Sequence, residues 1–239
     1  MILEYSTVFL YEGKVLLNKM IKYHQKKFNP LKLNKNNIDR MAVEKVPGFS
    51  FVLDIGCATG FIGEYLIKQK NCKVIGIEKN KKEGELAEKR LTKVMILDIE
   101  TLNAFTKIKK TVKNKKFDVI YATSLIEHLK EPGIFLQSIK NVIKPNGKII
   151  ISTPNISHWT IIKELLKGEF RYKEYGILDE THLHFFTIKS LKSLLIENGY
   201  KIEEIKIDRV GGGYPKLSKL FYNILPNLFA YQILILAKK

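Results

Sequence analysis

Phe51-Val52-Leu53-Asp54-Ile55-Gly56-Cys57-Ala58-Thr59-Gly60 is the stretch that decides the fold. Its first five residues are mostly apolar, with β-branched and aromatic members, and predict a buried parallel strand. Small residues from 56 to 60 break the run. Ile62, Tyr65, Leu66 and Gln69 then fall at helical spacing. Strand, tight turn and helix form the opening unit of an α/β sheet. Outward from it the alternation continues, with strands expected at 73–77, 93–97, 117–122 and 148–152 and helices at 79–91 and 132–142. Pro132 sits in a first helical turn, where its missing N–H costs nothing, and Pro145-Asn146-Gly147 reads as a turn. The pattern predicts a doubly wound, mostly parallel sheet. Ligands of such sheets lie beyond the carboxyl ends of the strands, near the switch point.

Residues 1–48 read as an N-terminal helical cap. Val8, Leu10, Val15, Leu16 and Met20 line one face, and Pro30 interrupts. Residues 49–239 read as one domain whose rhythm breaks over 153–185. A helix over 187–198 ends at Gly199, and a strand follows at 202–207. Then come a glycine joint at 211–213, a helix at 217–225 stopped by Pro226, and a last strand at 231–237.

The 239 residues are 45% hydrophobic and 27% charged, which predicts a sizeable core and not wholesale disorder. Lys and Arg number 41 against 24 Asp and Glu, a net +17. Such a field suits nucleic acid, anionic lipid or an acidic polymer. Arginine, the usual bidentate phosphate and base reader, occurs only at 40, 90, 171 and 209, and lysine with abundant asparagine also matches an AT-rich coding bias. Cys57 and Cys72 have no metal-type spacing and fit a reducing compartment. The start lacks a signal-peptide pattern, and Asn223, Pro226, Asn227 and Gln232 interrupt the apolar stretch 220–237. The expected location is cytoplasmic. Lys216 and Lys219 beside Leu217, Leu220 and Phe221 allow contact with an anionic membrane surface, or simple packing on the sheet.

Small residues at 56, 58 and 60 let a ligand approach the backbone closely. Three acids sharpen the pattern. Glu78, followed by Lys79, ends the second strand, the place for a carboxylate accepting from ribose hydroxyls. Asp98, with Ile99 beside it, follows the third strand, within reach of an adenine amine. Asp54 at the mouth of the loop suits a cationic ligand and suits a pyrophosphate poorly. The rival is an NAD-type dinucleotide binder, because Ala58-x-Gly60-x-x-Gly63 matches a relaxed fingerprint. Asp54 and the long segment before the first strand weigh against it.

Residues 52–60 resemble the first motif of class I S-adenosylmethionine (SAM)-dependent methyltransferases. Phe117-Asp118-Val119-Ile120, Ile126-Glu127-His128-Leu129 and Lys144-Pro145-Asn146-Gly147 resemble later motifs of the branch that includes ubiquinone-biosynthesis O-methyltransferases. The resemblance covers roughly 48–155. It implies a Rossmann-like sheet with an antiparallel last strand, SAM as cofactor and S-adenosyl-L-homocysteine as product. By the same resemblance Asp54, Gly56 and Gly60 surround the methionine part, Glu78 holds the ribose, and Asp98 and Ile99 flank the adenine. Ala122 and Thr123 line the floor beside the sulfonium. Ala58 stands where the family often has glycine.

A hydroxyl acceptor must lose its proton during transfer, to a base or with a metal's help. His128, next to Glu127 after the fourth strand, is the candidate base; its other reading is a packed histidine. Some relatives carry a Glu-x-x-Glu-His metal motif. Here Ser124 stands where the first carboxylate would be; a metal would keep Glu127, His128 and either His182 or His184, a thin oxygen set for magnesium, so we expect no bound metal. Residues 179–187 resemble a stretch found in glycan and cell-envelope methyltransferases, which there forms the acceptor wall. Ser124, Trp159, Arg171, His182 and His184 are therefore the expected acceptor contacts; otherwise Phe185 and Phe186 are core and the histidines structural. The expected reaction is O-methylation of a sugar, a lipid-linked glycan or a quinone-like small molecule. RNA ribose methylation and a non-catalytic SAM- or dinucleotide-binding module are the alternatives.

Overall fold

A computed structural model describes residues 29–208 and 225–239. The cap before residue 29, the glycine joint and most of the 217–225 helix lie outside the described residues. The seven-stranded sheet runs in the order β3-β2-β1-β4-β5-β7-β6. Its strands are β1 (Phe51–Ile55), β2 (Lys73–Glu78), β3 (Lys93–Ile96), β4 (Phe117–Thr123), β5 (Ile143–Pro154), β6 (Lys201–Ile207) and β7 (Gln232–Lys238). The first five are parallel, and β7 runs antiparallel to both β5 and β6. β7 takes this interior place because Ile233-Leu234-Ile235-Leu236-Ala237 is apolar on both faces, and all five are buried.

The helices are α1 (Ile38–Glu44), α2 (Phe61–Lys70), α3 (Lys81–Glu88), α4 (Ala104–Thr111), α5 (Pro132–Ile139), α6 (Trp159–Leu166), α7 (Ile188–Glu197) and a short α8 (Pro226–Phe229). Alternate strand residues feed two cores. Val52, Val74, Val119, Tyr121 and Ile150 pack with α1 and α2, whereas Leu53, Ile75, Ile120 and Ile149 pack with α4, α5 and α7. Thus α1, from the expected cap, is built into one face of the sheet.

Local chemistry moves several boundaries. The helix expected at 79–91 starts after Asn80, whose side chain accepts from Lys82 N (3.0 Å) and Glu83 N (3.3 Å). Thr187 and Ser190 form a reciprocal capping box that starts α7 at the expected place. The expected turn at 145–147 is instead a bulge inside β5. Phe117 and Val119 pair with Ile143 and Lys148, so two steps of β4 face five of β5. Pro226 opens a short helix, since it occupies a first-turn position. Helices α4 and α6 carry too few buried positions to announce themselves: Ala104 and Ile108 in one, Ile161 in the other.

The entry of α2 is tightly packed. A Cβ at Gly63 would lie 2.4 Å from Leu91 Cδ2 and 3.0 Å from Val74 Cγ1, both on buried residues. Gly63→Ala is therefore expected to cost about 1–3 kcal/mol, read as a melting temperature lower by several degrees.

Candidate functional site

Strand order reverses between β1 and β4, and the loops beyond these strands touch. A Cβ on Gly56 would lie 3.4 Å from Leu125 Cδ1. Gly56 (φ 75°), Ala58 (φ 46°) and Gly60 (φ 80°) all take left-handed conformations. At Gly60 a Cβ would also press on Ala87 of α3 at 3.1 Å, so both conformation and space require glycine there. Ala58 accepts the same backbone region at a steric cost. Its N–H donates to Glu78 Oε2 (2.9 Å), while Asn80 N donates to Oε1 (2.8 Å). The Glu78 carboxylate is thereby fixed at the end of β2. Arg90 Nη1 donates to Thr59 O (2.6 Å) and ties the loop to the chain after α3.

Asp54 is buried, and its Oδ2 has no hydrogen-bond partner. Burial, with the Glu78 charge adding, pushes its pKa up to about 7. Asp54 pairs in register with Tyr121, whose buried hydroxyl also lacks a partner. Asp39 of α1, raised to about 6 by burial, acts on the same tyrosine. Asp98 is exposed after β3 and Ile99 is buried beside it. Ala122 and Thr123 end β4, the first buried and the second half-buried.

Across the switch point, Ser124 turns the chain with φ 49° and is held by Ser152 O (2.9 Å). A single 3-10 turn, Ile126–His128, follows. Glu127 is 1% exposed, and neither carboxylate oxygen has a hydrogen-bond partner. Burial raises its pKa to about 8; the Thr153 hydroxyl acts the other way without meeting hydrogen-bond geometry. His128 Nδ1 faces Thr181 O at 3.2 Å. A carbonyl only accepts, so Nδ1 carries the hydrogen and Nε2 keeps a lone pair. Burial first, then the neighbouring His182, lowers the His128 pKa and favours the neutral ring. His182 repeats the arrangement, with Nδ1 donating to Ile177 O (3.1 Å), and the two rings lie 4.8 Å apart. The charge of Lys79, which follows β2, lowers the His128 pKa further.

Ligand-type atoms of Glu127, His128 and His182 lie within 4.8 Å of one another. Of the two histidines that the sequence offered a metal beside Glu127 and His128, the fold brings in His182. One carboxylate and two imidazoles suit a transition metal better than magnesium or calcium. The unpartnered carboxylate and two Nε2 lone pairs fit such an ion.

The remaining expected acceptor contacts are dispersed. Trp159 begins α6, with its Nε1 buried and without a hydrogen-bond partner. Arg171 is exposed, and no described contact joins it to the His128 cluster. His184 turns its Nε2 to Lys130 O (3.1 Å), which ties 184 to the chain after the 3-10 turn. Phe186 belongs to the main core and Phe185 to a small cluster with Ile161, Ile177 and Leu178. Sequence reasoning missed Asp39, Tyr121, Thr153 and Thr181. No local motif marks them, because each matters through a neighbour distant in the chain.

A mostly parallel seven-stranded sheet with antiparallel β7 and acids at the ends of β1, β2 and β3 defines the class I SAM-dependent methyltransferase fold. The chain belongs to the methyltransferase domain family, whose model matches residues 24–205. A ubiquinone biosynthesis O-methyltransferase of Shewanella halifaxensis is 26% identical over 81% of this chain and 78% of its own length. The mitochondrial one of Dictyostelium discoideum is 25% identical over 65% of this chain. The chain spans about half, 51%, of that protein's length. A SAM-dependent methyltransferase structure from Archaeoglobus fulgidus shares the fold at TM-score 0.61 and 18% identity, covering 95% of this chain and all of that one. The residues present fit SAM: Asp54 offers a buried carboxylate oxygen without a hydrogen-bond partner, and the Glu78 carboxylate closes β2 against the left-handed turn at 56–60.

Proposed function

We propose that this chain transfers the SAM methyl group to a hydroxyl oxygen of a small, quinone-like ring acceptor, releasing S-adenosyl-L-homocysteine. The observation that carries this reading is the neutral His128 imidazole, its Nε2 lone pair free, across the switch point from the acidic glycine loop. Bound SAM supplies an electrophilic methyl carbon and a thioether leaving group. Asp54 attracts the cationic amino-acid end, Glu78 accepts from the ribose, and Asp98 and Ile99 flank the base. Ala122, Thr123 and Ser124 border the reacting centre. His128 Nε2 takes the acceptor's proton as its oxygen bonds to carbon. His182 stands beside His128 on the acceptor side in this reading, and sugar or lipid-linked glycan hydroxyls are the other acceptor class.

The donor set supports a second reading of the same site. A metal on Glu127, His128 and His182 would lower the pKa of the acceptor hydroxyl. Exhaustive chelation separates the two: intact turnover removes the metal, and loss restored by manganese or zinc supports it. We place the protein in the cytoplasm, with membrane contact restricted to the surface. Among the described residues no helix is long and apolar enough to cross a membrane. Methyl-labelled SAM incubated with fractionated host extract tests the assignment. Label in small molecules or glycans supports it, and label in RNA overturns it.

Asp54 gives a pH signature. Its carboxylate, with a pKa of about 7, is charged above that value and attracts a cation only then. SAM affinity is expected to rise about eightfold from pH 6 to 7.5, before the ligand's own amine deprotonates. Calorimetry on Asp54→Asn should give weaker, pH-flat binding. A flat wild-type profile would refute the role.

A further inference from the structure

Residues 177–184 form a clasp around the 3-10 turn at Ile126–His128. Glu127 O accepts from two successive amides, Leu183 N (2.8 Å) and His184 N (3.0 Å). Thr181 meets the ring of His128 twice, through its carbonyl (3.2 Å from Nδ1) and its hydroxyl (3.1 Å). The hydroxyl hydrogen is already committed, since Thr181 Oγ1 donates to Asp179 Oδ1 at 2.6 Å. Thr181 N donates to the same carboxylate oxygen at 2.8 Å. Toward His128, then, both Thr181 oxygens present lone pairs. Asp179 removes the one arrangement in which the Thr181 hydroxyl would donate to Nδ1 and let the ring carry its hydrogen on Nε2.

We propose that Asp179 and Thr181 are positioning residues for His128. Asp179 orients the Thr181 hydroxyl, and Thr181 locks the ring in the Nδ1–H tautomer with Nε2 turned to the cleft. The inference rests on His128 being the group beside the acceptor, and it holds whether that nitrogen takes a proton or binds a metal. Both uses need the lone pair on Nε2, and both fail in the other tautomer. The expected acceptor wall thus acquires a second purpose, because the segment that would line the acceptor also sets the tautomer.

The test uses Thr181→Val, Thr181→Ser, Asp179→Ala and Asp179→Asn in the full chain. Thr181 is exposed, so its substitution leaves the core unchanged. Asp179→Ala, which frees the Thr181 hydroxyl to donate to Nδ1, is expected to lower kcat by about 10–100-fold with the KM for SAM little changed, because a small misplacement of a reacting group costs that much. Thr181→Val keeps the backbone carbonyl and should lose far less. Asp179→Asn keeps an accepting oxygen for the Thr181 hydroxyl and Thr181→Ser keeps the hydroxyl, so both should stay near wild type. Ring-nitrogen NMR of 15N-labelled protein, with His128 assigned from its absence in His128→Ala, reads the tautomer directly. Wild type should show a single Nδ1–H form, Thr181→Val should keep it because the backbone carbonyl remains, and Asp179→Ala should show a mixture. Unchanged kcat and unchanged ring signals in Asp179→Ala would overturn the proposal, as would equal losses in Asp179→Ala and Asp179→Asn. If wild type methylates no hydroxyl acceptor, the O-methyltransferase reading fails, and the ring spectra still decide the tautomer.

Discussion

His128→Ala is expected to lower kcat by about two to four orders of magnitude, the usual worth of a positioned general base. The SAM dissociation constant should stay within about twofold, because His128 stands after β4, on the opposite side of the switch point from Glu78 and the glycine loop. The imidazole suits the task. Its Nδ1 is occupied by the Thr181 carbonyl, and burial keeps the ring neutral near pH 7. Rapid-quench turnover with labelled SAM, paired with calorimetry, separates chemistry from binding. Unchanged turnover would reduce His128 to a packing residue. A large loss of SAM affinity would move it into the cofactor site.

Glu127→Gln should raise the melting temperature by roughly 5–10 °C in metal-free buffer at pH 8.5, while in the metal reading, where Glu127 is the one carboxylate ligand, it lowers turnover about 100-fold or more. A carboxylate with both oxygens buried and unpartnered is costly to keep charged. Its folded pKa, about 8, lies above the ordinary value of 4.5. Between those values the folded chain holds a proton that the unfolded chain releases. The group's contribution to stability is full below about pH 4.5 and is lost as pH rises through 8. The neutral amide removes that slope, so the variant should match wild type near pH 4.5 and exceed it progressively above. Thermal melts across pH measure this. Parallel curves for the two proteins would show that Glu127 is satisfied in solution by a group absent from this structure. An activity loss joined to a stability gain is the pattern of a site built against stability for function.

The alternation from residue 51 onward determined the sheet, because strands buried on both faces must be continuously apolar and their connecting turns must be small. Loop 56–60, Glu78 and Asp98 were legible for the same reason. Each closes a strand, and its place follows from chain order alone. The antiparallel last strand was expected from resemblance. Its insertion between β5 and β6 is a tertiary outcome, since only pairing shows which edge a strand that is apolar on both faces will fill. The bulge at 145–147 was misread as a turn because Pro-Asn-Gly serves both geometries, and the β4 register selects between them.

The proposed catalytic half divides the same way. Sequence placed Glu127 and His128 beside the switch point, but it ranked His182 and His184 equally. Folding turned His182 toward His128 and spent His184 on the Lys130 carbonyl. Asp39, Tyr121 and Thr181 could not be found from sequence, since nothing local distinguishes a threonine that meets a histidine 53 positions away. Periodicity reports which face of an element is buried, and so the sequence by itself determined the sheet and the cofactor loop. A side chain's partner depends on distances between elements remote in the chain, and so only the tertiary structure decided which groups bind Nδ1, which carboxylate lies dry, and which imidazole keeps its lone pair for chemistry.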